Sequence, residues 1–575
     1  MNTNAEVSFT NEIRENIQIT LPDDRIITGE RGIQLQALLS LVKEWNGAKI
    51  VGAVVDGELR ELTYPIFRDC SVVPVNMKTS DGSKIYRRSL TFLLETAFSE
   101  LFPDELLSVD HSVPSGGYFS KVMGNKQLSS KEVKELEAHM RELVRQNLPI
   151  NKDKVNLDEA ITYFKEKGYK DKVHLLKYRK KPYLVLYQLN AHRDYHHGYM
   201  VPSTGYLDVF KLIHNDDGFI LQYPRRATPK KLFEMPTYSK LLDLFKQYGS
   251  WLESLDIDSV ASLNDAIHNG NIREVILVSE ALHEQKIAEI ASVINKGKKD
   301  LKIIMIAGPT SSGKTTFSKR LAIQLLTHGI SPFALEMDNY FVERDKTPLD
   351  ADGKPNFEAF EALDSELMEY DIKQLLNGKE VTLPRYNFRT GKREKGEPVR
   401  VSENQIILIE GIHGLNPALL SEISRFKKFL IYASCLTQLN LDHYNRISTT
   451  DSRLIRRIVR DARARGYSAK RTIQLWESVR RGEREFIFPY QENADAIFNS
   501  ALVYELAALK ESAEPLLRQI PHGTEEFLEA KRLLAFLEWF HPVNMELIPD
   551  NSIVREFIGG SILSDFHLWR NRPID

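Results

Sequence analysis

At 575 residues the chain is too long for one hydrophobic core, and at roughly 150 residues per domain it predicts about three to five domains. Its 42% hydrophobic and 27% charged residues are those of an ordinary soluble globular protein. With 77 basic against 79 acidic residues, the net charge of −2 provides no global field toward nucleic acid or membrane. Cys70 and Cys435 lie far apart, which argues against a disulfide framework or thiolate zinc cluster and for a reducing cytoplasm. No apolar run approaches the roughly 20 residues of a membrane span, so a cytoplasmic protein with no membrane partner is expected.

In chain order, Ile17 to Leu21 reads as a strand and Pro22 to Arg25 as a turn. Leu35 to Trp45 has helical spacing, and the strand from Ile50 runs into a hairpin at Asp56-Gly57. The segments ITLPDDR and VVDGELRELTYPI, with a strand ending near Pro74, resemble the TGS domain that opens threonyl-tRNA synthetases. The resemblance implies a β-grasp module over residues 1–76.

The next block contains YRRSLTFLLETA from Tyr86, then LFPD, GGYF, and GYMVPSTGYLDVFKL from Gly198. It resembles the second, editing-like α+β domain of those synthetases, over residues 77–225. Editing enzymes place an H-x-x-x-H and a C-x-x-x-H pair there. The matching residues are Arg88, Phe92, His196 and Met200, which offer a fixed cation and two apolar side chains, so hydrolytic chemistry is not expected. His192, His196 and His197 invite a metal reading, but no carboxylate or cysteine follows at ligand spacing, and a polar loop is expected instead. The basic runs at Lys177–Lys181 and Pro224–Lys231 fit either RNA phosphates or solvated loop charge.

From 226 to 299 the pattern turns helical, with Leu241, Leu242, Phe245, Ile287, Ile290, Ala291 and Ile294 at helical spacing, and predicts a connector. The apolar run IIMIA then stops at Gly308, Pro309, Thr310, Ser311, Ser312, Gly313, Lys314, Thr315 and Thr316, a G-x-x-x-x-G-K-[ST] phosphate-binding loop. Glycines there let the backbone turn close to phosphate oxygens. Successive N–H groups and the following helix stabilise the anion, Lys314 reaches the β/γ-phosphates and Thr315 takes an Mg²⁺ position. Phe317, Leu321 and Leu325 give that helix its apolar stripe.

A second strand from Pro332 ends at Asp338, placed to orient an acceptor hydroxyl and take its proton. A third runs from Ile406 into Glu410, an acidic end suited to Mg²⁺; Phe429 and Ala496 begin two more. Strands alternating with helices predict a parallel sheet covered on both faces. Between Ser452 and Tyr467, Arg453, Arg457 and Arg460 fall on one side of a helix that also carries Arg456, Arg463 and Arg465. Such a helix serves as a mobile lid over a transferring phosphoryl group, or as a basic face for solvent or nucleic acid.

GPTSSGKTTFSKRL, MDNYF, NFEAFEALD, PRYNF, ILIEGIH, RRIVRDARARG and FPYQENADAIFN, in that order, resemble the uridine kinase and phosphoribulokinase group of P-loop kinases. The resemblance implies a kinase domain over 300–511 that uses ATP and Mg²⁺ to phosphorylate a nucleoside 5′-hydroxyl. In it Asp338 is the catalytic acid-base residue and Glu410 lies near Mg²⁺. Phe341, Phe357, Glu358, Tyr386, Phe388 and Arg457 surround the nucleoside, and Arg457, Arg460 and Arg465 form the lid. The departures are Gly391 in place of a base-reading histidine, Tyr467 in place of an arginine and Phe341 in place of a tyrosine, so the acceptor's base is left open. Another small hydroxylated metabolite, or ATP sensing by an RNA-binding regulator, is the alternative. Residues 512–575 read as a helical extension with no catalytic constellation. The whole resembles the TGS-fused nucleoside kinases of bacteria, with tRNA or amino-acid sensing as the role open to the front domains and homo-oligomerisation undecided.

Overall fold

Ile303–Ala307 is buried at every position, which is what the centre of a sheet covered on both faces requires. In the computed structural model, which describes residues 14–566 apart from 43, 115, 125, 236–238, 351–352, 388 and 438, that strand lies at the middle of five. The spatial order is Ser331–Glu336, Gln405–Glu410, Ile303–Ala307, Lys428–Ser434, Ala496–Asn499, and every pairing is parallel. Alternation along the strands separates two cores. Ile304, Ile306, Leu408 and Ile431 point to the face covered by the P-loop helix Lys314–Thr327 and the long helix Ile272–Gly297. Ile303, Met305, Ile409 and Tyr432 point to the opposite face, covered by the helix Ser365–Leu376. The expected parallel sheet with helices on both faces is present.

The amino-terminal half is built from smaller sheets. The first has the order Ile26–Glu30, Asn16–Thr20, Cys70–Asn76, Ile50–Val55, Glu58–Arg60, with one parallel pairing in an otherwise antiparallel set. Its hairpin turns at Asp56 and Gly57, at φ of 47° and 80°, where the sequence predicts it. The helix expected over Leu35 to Trp45 spans only Leu35–Leu39, because the chain then turns so that Trp45 and Ala48 pair their backbones across Asn46 at φ 51°. Next come a four-stranded antiparallel sheet (Leu107–Val113, Gly117–Val122, Lys211–Asn215, Gly218–Gln222) and a three-stranded one (Asn151–Asn156, Tyr183–Leu189, His192–Asp194). The buried helix Ser80–Leu101 packs into the same core. His192 therefore lies in a strand and is buried, where a polar loop was expected.

The basic runs are largely exposed, with some of their side chains tethered to protein partners. Lys181 pairs with Glu538 at 2.9 Å and the Arg179 guanidinium stacks on Trp539 at 5.2 Å, while Arg226 pairs with Glu477 at 2.7 Å and Lys230 with Glu44 at 2.6 Å. Front and back halves are joined by more than surface charge. Lys84 meets Glu529 at 2.7 Å, and the buried Lys172 ammonium reaches Asp442 at 2.9 Å. No described helix is long and apolar enough to cross a membrane.

Two arginine side chains of the arginine-rich helix, Thr449–Arg465, are wholly buried. Arg453 donates to Glu483, one of its bonds being 2.6 Å, and Arg456 donates to Glu505. A buried guanidinium without its carboxylate is an uncompensated charge, so Glu483→Gln is expected to cost about 3–5 kcal/mol, read as a lowered melting temperature. The joint replacement R453M/E483L is expected to recover most of that loss.

Candidate active site

The P-loop follows the central strand and is shaped by close backbone approaches. A Cβ on Gly308 would sit 1.9 Å from the Ala433 carbonyl oxygen, so only glycine fits, and the loop closes through Ser311 and Gly313 at φ 57° and 81°. Its carbonyls are held from below. Arg453 Nη1 donates to Thr310 O at 3.2 Å, Arg456 Nη1 to Ser311 O at 3.4 Å, and Ser500 Oγ to Ser312 O. With the carbonyls engaged on that side, the loop's N–H groups and the start of the helix Lys314–Thr327 form an anion cradle. Lys314 Nζ donates to Pro309 O at 3.2 Å, folded back over the loop.

Around that ammonium stand three carboxylates from separate segments. Asp338 lies in the short turn Met337–Tyr340, two residues beyond the strand Ser331–Glu336, and Glu410 ends the strand Gln405–Glu410. Glu358 comes from a loop that packs against Gly482, whose missing Cβ would lie 2.2 Å from that of Glu358. Burial raises the Asp338 carboxyl above its usual range, opposed chiefly by the Lys314 charge. Burial likewise pushes Glu358 and Glu410 up to about 7, again against the pull of Lys314, with Arg457 adding its pull on Glu358. Thr315 Oγ1 donates to Glu410 Oε1 at 3.0 Å, so a hydroxyl and a carboxylate stand together at the start of the cradle. That oxygen pair is a donor set that fits Mg²⁺, which takes few protein ligands beside phosphate and water.

The arginine helix divides its charge. Arg453, expected on the lid side, faces inward because Glu483 on the next helix, Ala469–Phe486, takes it. Arg457, Arg460 and Arg465 instead converge on one wholly buried carboxylate, Asp461, at 3.2, 2.9 and 3.7 Å. Arg457 Nη1 is buried without a partner among the described residues. Three guanidiniums on one carboxylate leave two positive charges over, and Arg460 and Arg465 are close enough to act on Asp338.

On the acceptor side, the Phe341 and Tyr386 rings meet edge to face at 5.9 Å, and Tyr386 N–H donates to Asn339 Oδ1 at 3.2 Å. Phe357 is 44% exposed, and Phe388 lies outside the described residues. Gly391 has φ 71°, and a Cβ there would lie 2.8 Å from the Arg344 side chain; Arg344 N–H also donates to Gly391 O at 2.9 Å. A histidine at 391 would collide with Arg344. Tyr467 carries the Arg471 guanidinium on its ring at 4.2 Å, which returns a cation to a neighbourhood from which the sequence had removed one.

The carboxy-terminal extension, read as devoid of chemistry, reaches the site. Glu556 Oε2 accepts from Thr316 N–H at 3.2 Å and from Thr316 Oγ1 at 2.8 Å, and Ile553 leans on Gly313. Beside it lies a cavity of about 210 Å³ lined by Thr316, Lys319, Arg463, Arg555, Gly560 and Ser561, among others. The only sequence signal for this was the motif Arg555-Glu-Phe-Ile-Gly-Gly-Ser, whose partner lies 240 residues upstream. Of the editing-like positions, Phe92 and Met200 are buried, Arg88 Nη1 donates to Tyr199 O at 2.7 Å, and His196 Nε2 meets Glu95 Oε2 at 3.1 Å.

A parallel sheet with a P-loop after its central strand, carboxylates at the strand ends and a basic helix above defines a P-loop phosphotransferase domain. Residues 303–507 match the Phosphoribulokinase / Uridine kinase family, so the chain carries a kinase domain of that family. The amino-terminal region is homologous to threonine–tRNA ligases. Matches include that of Thermotoga neapolitana, 28% identical over 199 residues, covering 34% of this chain and 30% of the ligase. Another is that of Clostridium kluyveri, 27% identical over 240 residues, covering 40% of this chain and 38% of the ligase. The matches thus span 30% and 38% of those two ligases' own length. Among solved structures, a possible uridine kinase from Bacillus stearothermophilus is 22% identical, covers 36% of this chain and 97% of its own, and has a TM-score of 0.25.

Two outcomes follow from this geometry. Below about pH 7 the Glu410 carboxyl is partly protonated and competes with a cation, so Mg²⁺ is expected to bind more tightly at pH 8 than at pH 6, with proton release read by calorimetry in buffers of differing ionisation heat. Because the folded-state value lies above the ordinary 4.5, the ligand-free fold binds extra protons between 4.5 and about 7, and this group's stabilising share is lost as pH rises through that window. Glu556→Ala removes an anion from the start of the P-loop helix and is expected to tighten nucleotide binding by about 2- to 5-fold, measured by fluorescent-nucleotide titration.

Proposed function

We propose that the carboxy-terminal domain transfers the γ-phosphoryl group of ATP to the 5′-hydroxyl of a nucleoside. The observation that carries this reading is the convergence of Asp338, Glu358 and Glu410 on the Lys314 ammonium, facing Arg457, Arg460 and Arg465. In this mechanism the loop amides from Gly308 to Thr316, with Lys314, hold the triphosphate. Asp338 orients the acceptor hydroxyl and takes its proton as the acceptor oxygen bonds to the γ-phosphorus and the bond from that phosphorus to the β-bridging oxygen breaks. ADP leaves, and the proton passes from Asp338 to solvent. Arg457, Arg460 and Arg465 turn from Asp461 toward the equatorial oxygens, where negative charge is carried in the transition state, and their closure excludes water. Thr315 and Glu410 would hold Mg²⁺, which would supply charge neutralisation to the phosphates. Phe341, Phe357, Glu358, Tyr386 and Phe388 bound the acceptor.

One observation favours a second acceptor class. Arg344 packed over Gly391 puts a guanidinium beside the base-pocket hairpin, which suits a small hydroxylated metabolite bearing an anionic group. The front half acts as a sensing or docking module rather than a hydrolase, given Phe92 and Met200 in its pocket, with tRNA or an amino acid as the ligand class and the cytoplasm as the setting.

An ATP-consumption screen over purine and pyrimidine nucleosides and phosphorylated sugars tests the proposal. A nucleoside is expected to raise ADP release, Asp338→Asn to lower kcat about 10²- to 10⁴-fold with little change in nucleotide affinity, and Lys314→Ala to abolish turnover. Stimulation by phosphorylated sugars alone selects the second class. No stimulation by any acceptor, together with tight tRNA binding, replaces the kinase reading with ATP sensing.

A further inference from the structure

A second concentration of charge lies far from the P-loop, where the helix Ser80–Leu101 meets the strand His192–Asp194. The Glu95, Asp194 and Asp442 side chains are wholly buried there. Among the described residues the one wholly buried ammonium facing them is that of Lys172, 3.0 Å from Asp194 and 2.9 Å from Asp442. Each carboxylate removed from water costs several kcal/mol unless it is paired and hydrogen-bonded. Three negative charges against one positive charge leave this interior short by two.

The shortage falls on particular atoms. Asp442 is fully engaged: Oδ1 accepts from Lys172 and from the Tyr444 and Asn445 N–H groups, and Oδ2 accepts from the Tyr195 hydroxyl at 2.7 Å. Its carboxyl is accordingly held far below the usual range, mainly by Lys172 and His443 against its burial. Nearby, Asp171 accepts from both His443 N–H and Nδ1 at 2.7 Å. Glu95 and Asp194 are not so served. Glu95 Oε1, Asp194 Oδ2 and His192 Nε2 are buried with no hydrogen-bond partner among the described residues. One ligand atom from each of Glu95, His192 and Asp194 lies within 4.8 Å of the others, and His196 Nε2 is 3.1 Å from Glu95 Oε2. Ligand atoms on a tetrahedral ion at about 2.0–2.1 Å stand roughly 3.4 Å apart, so small side-chain adjustments close Glu95, His192 and Asp194 on an ion. A neutral imidazole offers a ring-nitrogen lone pair to a cation, and His192 Nε2 stands 3.6 Å from Glu95 Oε2.

We propose that Glu95, His192 and Asp194 bind a divalent transition-metal ion, and that Zn²⁺ is the ion this mixed imidazole and carboxylate set fits. The ion neutralises Glu95 and Asp194 and leaves Lys172 to Asp442. The balance then closes on both sides of a seam, because Lys172 and Asp194 belong to the front half and Asp442 to the kinase half. With every ligand buried, the site is structural, and it pins the helix Ser80–Leu101 to the strand that faces the kinase domain. Histidine spacing alone did not reveal it, since Glu95 stands 101 residues before His196.

Metal analysis of the full chain after gel filtration is the test. About one zinc per chain is expected, and a chelator-stripped sample reloaded with Co²⁺ is expected to show the visible absorption of a tetrahedral N/O site. Glu95→Gln and His192→Ala are each expected to lower zinc affinity by at least about tenfold, whereas Glu410→Gln, which alters the P-loop site, leaves zinc content unchanged. If those variants fold poorly, zinc titration of the stripped wild-type chain decides. A wild-type chain isolated without metal that takes up neither Zn²⁺ nor Co²⁺ at micromolar concentration overturns the proposal, and the orphaned carboxyls are then protonated instead.

Discussion

The kinase half depends on two buried arginines beneath the P-loop. Arg453 and Arg456 each combine a carboxylate partner, Glu483 or Glu505, with a P-loop carbonyl, Thr310 or Ser311. A buried ion pair alone is a weak source of stability, because the desolvation of both charges consumes most of the Coulomb gain. Here the remaining guanidinium donors hold the Thr310 and Ser311 carbonyls in place, which fixes the course of the loop above them. Glu483 also accepts from Thr310 N–H at 3.3 Å, so one carboxylate fixes both an arginine and the loop it supports. The next turn of the same helix then carries Arg457, Arg460 and Arg465 toward the strand ends, and the position of the lid follows from the anchoring of its root.

How much of this is legible in the sequence depends on the range of the interaction. The strand IIMIA, the glycine pattern and the stripe Phe317, Leu321, Leu325 are local signals, and each is found where its period places it. Asp338 and Glu410 are legible because a strand's end is a position that sequence can mark. The division of the arginine helix is not, since helical spacing places Arg453 and Arg457 on one side and says nothing of which has a carboxylate waiting. Arg453 turns inward because of Glu483, on another helix 30 residues away. Glu556 is hidden for the same reason, and its chain neighbours carry no phosphate-binding pattern.

The altered acceptor pocket has a steric basis that residue substitution alone does not convey. Gly391 sits at positive φ with Arg344 against its α-carbon, so the glycine and the arginine form one arrangement, and neither reverts without the other. Arg471 on Tyr467 repeats the theme: the ring platform stays in place while the guanidinium comes from a different position. In the front half the outcome is different in kind. Phe92 and Met200 are buried at positions where the editing pattern carries histidines.

Satisfied and unsatisfied charge then separates scaffold from site across the whole chain. Glu483 and Asp442 are buried, multiply bonded carboxylates with lowered proton affinity, as groups whose partners are already in place should be. Glu358 and Glu410 are half-buried with proton affinity raised to about 7, as carboxylates short of cationic partners should be. Near Glu410 the missing partner is a cation beside phosphate, because Thr315 and the loop amides stand there. The near-zero net charge of the chain conceals this contrast, since an excess of arginine over Asp461 and an excess of carboxylate around Lys172 cancel in the sum while remaining apart in space. A polypeptide that buries such imbalances loses stability at each, and they persist where something outside the chain restores the balance.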